Sequence, residues 1–257
     1  MTDFLVFRLY GPLAAWGDVA VGEQRPSLAS PSKSAVLGLV AASLGLVRSD
    51  EASLESLHRG FHVASRVDDP GELLVDYHSI ETPFERAIQA QPAATRKDEL
   101  KAGAAGGAKT NLSRREYRQD GLSAVALWRA DGGDARWSLE ELAGALRCPR
   151  FTPYLGRKSC PPALPFEPVV VRAAHPVEAL RRAAFKGDAF LEKVERPRQR
   201  QYRWEASGPD ALAQQTVRRR DQALGRKAWL FADREEHVRV EDVPAPPKGE
   251  SHVPESH

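Results

Sequence analysis

The run Arg150-Phe-Thr-Pro-Tyr-Leu-Gly-Arg-Lys-Ser-Cys-Pro161 sets a glycine, two cations and a hydroxyl side by side in a proline-bounded loop. No acidic residue occurs between Leu142 and Phe166, so Arg147, Arg150, Arg157 and Lys158 have no counter-charge nearby in sequence. A glycine lets the backbone come close to a ligand, and successive N–H groups beside Arg and Lys form an anion-binding concavity. Taken alone, the run reads better as a structural loop with solvated charges. A second motif, Ser30-Pro-Ser-Lys-Ser34, shifts the balance. Ser30 and Pro31 read as an N-cap and first helical residue. Val36, Leu37, Val40, Ala41 and Leu44 then recur at helical spacing up to Gly45. Lys33 and Ser34 fall in the first turn, where free N–H groups and the positive dipole end favour a phosphate.

These motifs need a scaffold, and the pattern supplies one. Phe4–Tyr10 alternates as a strand, the Pro31–Leu46 helix follows, and Phe61–Val67 and Leu73–Ile80 read as strands joined at Asp68-Asp-Pro-Gly71. Ser123–Arg129 is a further strand, Ser138-Leu-Glu-Glu141 is a capping box opening a helix to Leu146, and Glu167–Arg172 returns as a strand. The predicted class is α+β, with strand, helix, strand, strand, helix, strand in the order of a ferredoxin-like or RRM-like βαββαβ motif. Residues 1–168 would form that domain. Residues 81–120 interrupt it as an inserted arm whose Ala102–Ala108 tip is rich in glycine and alanine and is expected to be flexible. Residues 169–242 read as a smaller β-rich C-terminal part with a short helix near Val177–Ala184. Residues 243–257, with four prolines, read as a disordered tail.

Formal net charge is only +2, so no global field announces a polyanion, but residues 181–227 hold thirteen Lys/Arg against six Asp/Glu. Two cysteines, Cys148 and Cys160, are too few for a disulfide scaffold and lack metal-ligand spacing. No histidine–carboxylate cluster has ligand spacing either, so neither a metal nor another cofactor is expected. No apolar run reaches membrane-spanning length, and Met1-Thr-Asp leads straight into a strand without a signal pattern; a soluble, cytoplasmic protein is expected.

The two motifs, together with Gly11-Pro12, Ala15-Trp-Gly17, Arg25-Pro26, Asp76-Tyr-His78 and Arg114-Arg-Glu-Tyr117, resemble the CasD family (the fifth numbered Cas family, type I-E form, RAMP superfamily). The matching pieces run in the family's order from residue 4 to 161. The resemblance implies one sheet of ferredoxin-like topology and a thumb at 81–120 that reaches over a guide RNA. It implies a non-catalytic subunit of the CRISPR surveillance complex Cascade that binds the 5′ handle of the CRISPR RNA. Its partners would be that RNA, the Cascade backbone subunit and the large subunit, with target DNA met only indirectly because guide base pairing reads it.

Single-stranded RNA is held by stacking bases on aromatic or Arg planes and by phosphate contacts that fix register. Trp16, Tyr77, Tyr117 and Tyr154 are the candidate platforms. Arg25, Lys33, Ser34, Arg114, Arg115, Gly156, Arg157, Lys158 and Ser159 are the candidate phosphate and edge contacts, with His78 beside them. The alternative from another class is a metal-independent endoribonuclease acting on CRISPR repeat RNA, with His78, Tyr77 and Lys33 as base, acid and cation.

Overall fold

In a computed structural model of the chain, residues 1–133, 135–186, 191, 196–206, 208–225 and 230–243 are described. β1 (Thr2–Tyr10) is followed by four two-residue strands, β2 (Leu13–Ala14), β3 (Trp16–Gly17), β4 (Gln24–Arg25) and β5 (Ser27–Leu28). Helices α1 (Lys33–Leu44) and α2 (Glu51–Gly60) lead into β6 (Phe61–Asp69). Next come β7 (Glu72–Pro83), α3 (Glu85–Ala90), α4 (Arg96–Gly106) and β8 (Ala108–Gln119), then β9 (Leu122–Arg129), α5 (Leu139–Arg147) and β10 (Val169–Ala173). Helix α6 (Pro176–Arg182) and strands β11 (Gln199–Glu205), β12 (Gln215–Gly225) and β13 (Leu230–Asp242) complete the described chain.

The main sheet has the order β10-β1-β9-β6-β11-β13-β12 and every neighbouring pair is antiparallel. β1 is covered on both faces, which is why it reads as an almost unbroken apolar run. Leu5, Phe7 and Leu9 face a core built with α1, α2 and α5. Phe4 and Val6 face a second core with Val177 and Leu180 of α6 and with Tyr202 and Trp204 of β11. Arg8 is the exception in this strand, 5% exposed. Its buried charge is met by Glu167 at 3.1 Å and by the Pro165 carbonyl at 3.0 Å. At the β10 edge, Arg147 donates to the Pro168 carbonyl and Arg182 to the Arg172 carbonyl.

Three expectations change here. The boundary at residue 168 does not separate two sheets: β10 pairs with β1, and β11, β13 and β12 extend the same sheet beyond β6. The Asp68–Gly71 turn is present, with Gly71 at φ 69°, but it joins two sheets rather than two paired strands. β7 leaves the main sheet and pairs with β8 over its whole length, from Glu72↔Gln119 to Pro83↔Ala108, so the arm starts earlier than residue 81. Only one side of this ribbon has a core to meet, through Leu74 and Tyr117, so alternation alone could not tell it from a main-sheet strand.

The Ala102–Ala108 stretch is mostly helical rather than flexible. Thr95 and Asp98 form a capping box that opens α4. Ala102 and Gly103 are buried, and a Cβ on Gly106 would press into Ala87 of α3. The small residues here allow close helix packing. The expected tail falls, from residue 244 onward, outside the described residues.

Candidate nucleic-acid interface

The start of α1 is closed by the protein's own side chains. Ser32, not Ser30, is the N-cap, its Oγ accepting from Ala35 N. Ser30 instead receives both ends of the Arg219 guanidinium, at 2.9 Å on its Oγ and 2.8 Å on its carbonyl. The Lys33 N–H donates to Asp221 Oδ2 at 2.7 Å, so a carboxylate from β12 fills the place where a phosphate was expected. The Lys33 ammonium is itself 4% exposed and sits 2.9 Å from Glu205 Oε1. The Lys33 ammonium and N–H are thus both spent on the protein's own carboxylates.

Around it lies a buried ionic cluster. Arg234 forks onto Asp221 at 2.6 and 3.0 Å and reaches Glu236 at 2.7 Å, while Arg203 lies 2.8 Å from Glu236. Burial alone would raise the Glu205 carboxyl, but the His62 hydrogen bond and the Lys33 ammonium outweigh it and hold the pKa at about 2. A depressed carboxylate pKa stabilises the fold above its unfolded value near 4.5, and that contribution fades as pH falls toward about 2. The shift corresponds to about 3 kcal/mol at neutral pH. Urea midpoints measured between pH 5 and 2 should therefore fall more steeply in the wild type than in Glu205→Gln; parallel curves would remove Glu205 from the account.

The 150–161 loop is equally well anchored. Gly156 has φ 89° and a Cβ there would overlap the Ala15 carbonyl oxygen. Leu155 on its inner side is buried, and its carbonyl accepts from Ala15 N at 2.9 Å. The Arg157 guanidinium stacks on the Tyr117 ring, 4.6 Å from its centroid, and donates to the Glu116 carbonyl at 2.9 Å and the Arg25 carbonyl at 3.0 Å. Its fork is used on the protein's own backbone. Lys158 and Ser159 are exposed. Burial pushes the Cys160 thiol up, as expected of an inert cysteine.

Between this loop and α1 lies a cleft of about 1000 Å³. Its floor is the outer side of α1, where Ser34, Ala35, Gly38 and Ala42 are small. Its walls include Asp18 to Ala20, Tyr154, and Arg220 and Phe231 from β12 and β13. Ser34, Tyr154, Gly156, Arg157 and Lys158 therefore meet at one place, although 120 residues separate Ser34 from Tyr154. Lys158, Arg220 and Arg48 are exposed cations that line it. Arg220 and Phe231 were missed from sequence; the charge excess of residues 181–227 pointed toward Arg220, while Phe231 lies beyond that stretch.

The remaining candidates divide by burial. Trp16 is 5% exposed and Tyr117 6% exposed; both belong to the core, so neither ring is open to solvent. Trp16 N also donates to Ser27 Oγ at 3.0 Å, which fixes the small β3–β5 pair. The others lie on the arm or at its root. Tyr77 is 58% exposed and stands opposite Arg114 on one face of the ribbon. His78, paired with Asp76, lies on the other face with Arg115 and Ser113. Arg25 is exposed at the root, where β4 runs parallel to β8. With Tyr77 and His78 on opposite faces and Lys33 buried against Glu205, the three residues of the endoribonuclease alternative do not converge. Among the described residues no group of three or more His, Cys, Asp or Glu could hold a metal, and no helix is long and apolar enough to cross a membrane.

The mixed α/β fold built mainly on antiparallel sheets is also seen among solved CRISPR proteins. One is a "CRISPR RNA-guided surveillance complex" chain, with TM-score 0.61 and 24% identity over 94% of this chain and 91% of that one. Another is described as "Crystal structure of Cas protein", with TM-score 0.55 and 25% identity over 94% of this chain and 95% of that one. The family model "CRISPR-associated protein (Cas_Cas5)" matches residues 4–245, and the chain belongs to this family. It is also 36% identical over 182 residues to the "CRISPR system Cascade subunit CasD" of Escherichia coli (strain K12), covering 70% of this chain and 76% of that relative.

Proposed function

We propose that the protein is the CasD-like subunit of a type I-E Cascade, that it works in the cytoplasm, and that it holds the repeat-derived 5′ handle of the CRISPR RNA without chemistry of its own. The observation that carries this reading is the cleft: Tyr154 and Phe231 offer aromatic surface over a floor of small residues, with Lys158 and Arg220 at the rim. Bases stack on such surfaces for about 1–3 kcal/mol each, and exposed cations hold the backbone. Strands β1, β6, β9 and β10 with α1 and α5 are read as the ferredoxin-like unit, and the β7–β8 arm as the thumb. Backbone and large subunits of the complex are the protein partners this role requires.

Salt-dependent binding of 5′-handle RNA against a scrambled RNA tests it. Wild type should prefer the handle, and the Lys158→Ala/Arg220→Ala double variant should lower the slope of log K against log salt by about two. Equal binding of both RNAs, or an unchanged slope, would sink the proposal and leave an assembly role through protein contacts.

A further inference from the structure

The sequence motif makes Arg157 look like a phosphate ligand, yet its guanidinium is committed three ways. One nitrogen donates to the carbonyl of Glu116 in β8, another to the carbonyl of Arg25 in β4, and the plane lies on the Tyr117 ring. These three groups form the root of the arm. β4 joins β8 there through Gln24↔Arg114 and Arg25↔Arg115, and Arg114 N donates to the Glu23 carbonyl. Glu116 accepts from Ser27 N, and Arg118 donates to the Ser27 carbonyl. On its other side the loop that carries Arg157 is locked to Ala15 through Leu155 and Gly156.

We propose that Arg157 is a positioning residue that fixes the arm's direction relative to the cleft. The inference rests on the RNA-binding reading above only for its consequence, not for its geometry. Two carbonyl oxygens of different strands are gathered by one planar fork, which a lysine cannot reproduce. Lys158, the next residue, stands on the cleft rim, and Arg25 and Arg114 are exposed at and along the arm. An RNA strand leaving the cleft past Lys158 reaches Arg25 and Arg114 in register only while the clamp holds. Arg157 therefore acts on RNA through the arm rather than by contact.

Lysine and alanine substitutions at Arg157 separate the two roles, because a point-charge phosphate contact tolerates lysine and a bidentate, stacked clamp does not. Hydrogen exchange of the free full-length protein should show at least about tenfold faster exchange of the Arg114–Arg118 amides in both Arg157→Lys and Arg157→Ala. Lys158→Ala should leave those amides unchanged. Both Arg157 variants should weaken handle RNA alike while keeping the wild-type salt slope, whereas Lys158→Ala should lower the slope by about one. The proposal is overturned if Arg157→Lys exchanges and binds as wild type while Arg157→Ala loses one unit of slope. It is equally overturned if arm-root exchange is unmoved in both variants. The exchange arm needs no RNA, so failure of the RNA-binding reading leaves this test standing.

Discussion

Replacing Gly156 by alanine should cost about 3–5 kcal/mol, enough to unfold a large fraction of a marginally stable domain at physiological temperature. Two independent penalties coincide. The residue holds φ 89°, which a side chain adopts only with strain, and its new Cβ would overlap the Ala15 carbonyl oxygen. Neither neighbour can yield cheaply, because Ala15 is buried and its N–H is already bonded to Leu155. Gly22→Ala is the matched control: φ is 55° there, yet nothing lies within 4 Å of the added methyl. It should cost only about 1 kcal/mol. Urea unfolding of the two variants checks the comparison, and equal midpoints would show that the loop yields without cost.

Lys33→Met should have the second large effect, and on stability rather than on RNA. It removes the cation from a pair whose carboxylate, Glu205, is 11% exposed at its side chain. Breaking a buried pair from one side typically costs about 3–5 kcal/mol. A phosphate-contact role predicts the opposite pattern, with little change in unfolding midpoint and a salt slope lowered by about one. Measuring both quantities on the same preparation decides which role holds.

Much of the scaffold was legible because its signals are local. β1, α1, α5 and β9 follow from period and capping, and Ser138 and Glu141 form the box their spacing promised. What misled were contacts across the chain. Ser30 has the composition of an N-cap but is taken by Arg219, 189 residues away, so the cap moves to Ser32. Lys33 looked like a free cation because Glu205 and Asp221 are remote in sequence. The glycines of α4 read as flexible because their partners, Pro83 and Ala87, belong to other elements. At the candidate site the Tyr154–Lys158 loop and Ser34 were legible and do meet. Trp16 and Tyr117 were not separable from exposed aromatics, since nothing in their local pattern reports burial.

The ionic cluster that closes α1 also sets an order of events during synthesis. Ser30 and Lys33 are made early, whereas Glu205, Arg219, Asp221 and Arg234 emerge late. Until the ribosome has released β11 to β13, the first turn of α1 has no counter-charge, and the wall that Arg220 and Phe231 give the cleft does not exist. Contacts of such long range form slowly, because the intervening loop must close first. The nascent chain accordingly passes most of its translation without a finished cleft. Truncated products ending before β11 lack Arg220, Asp221 and Phe231, so one wall of the cleft is reserved for completed molecules.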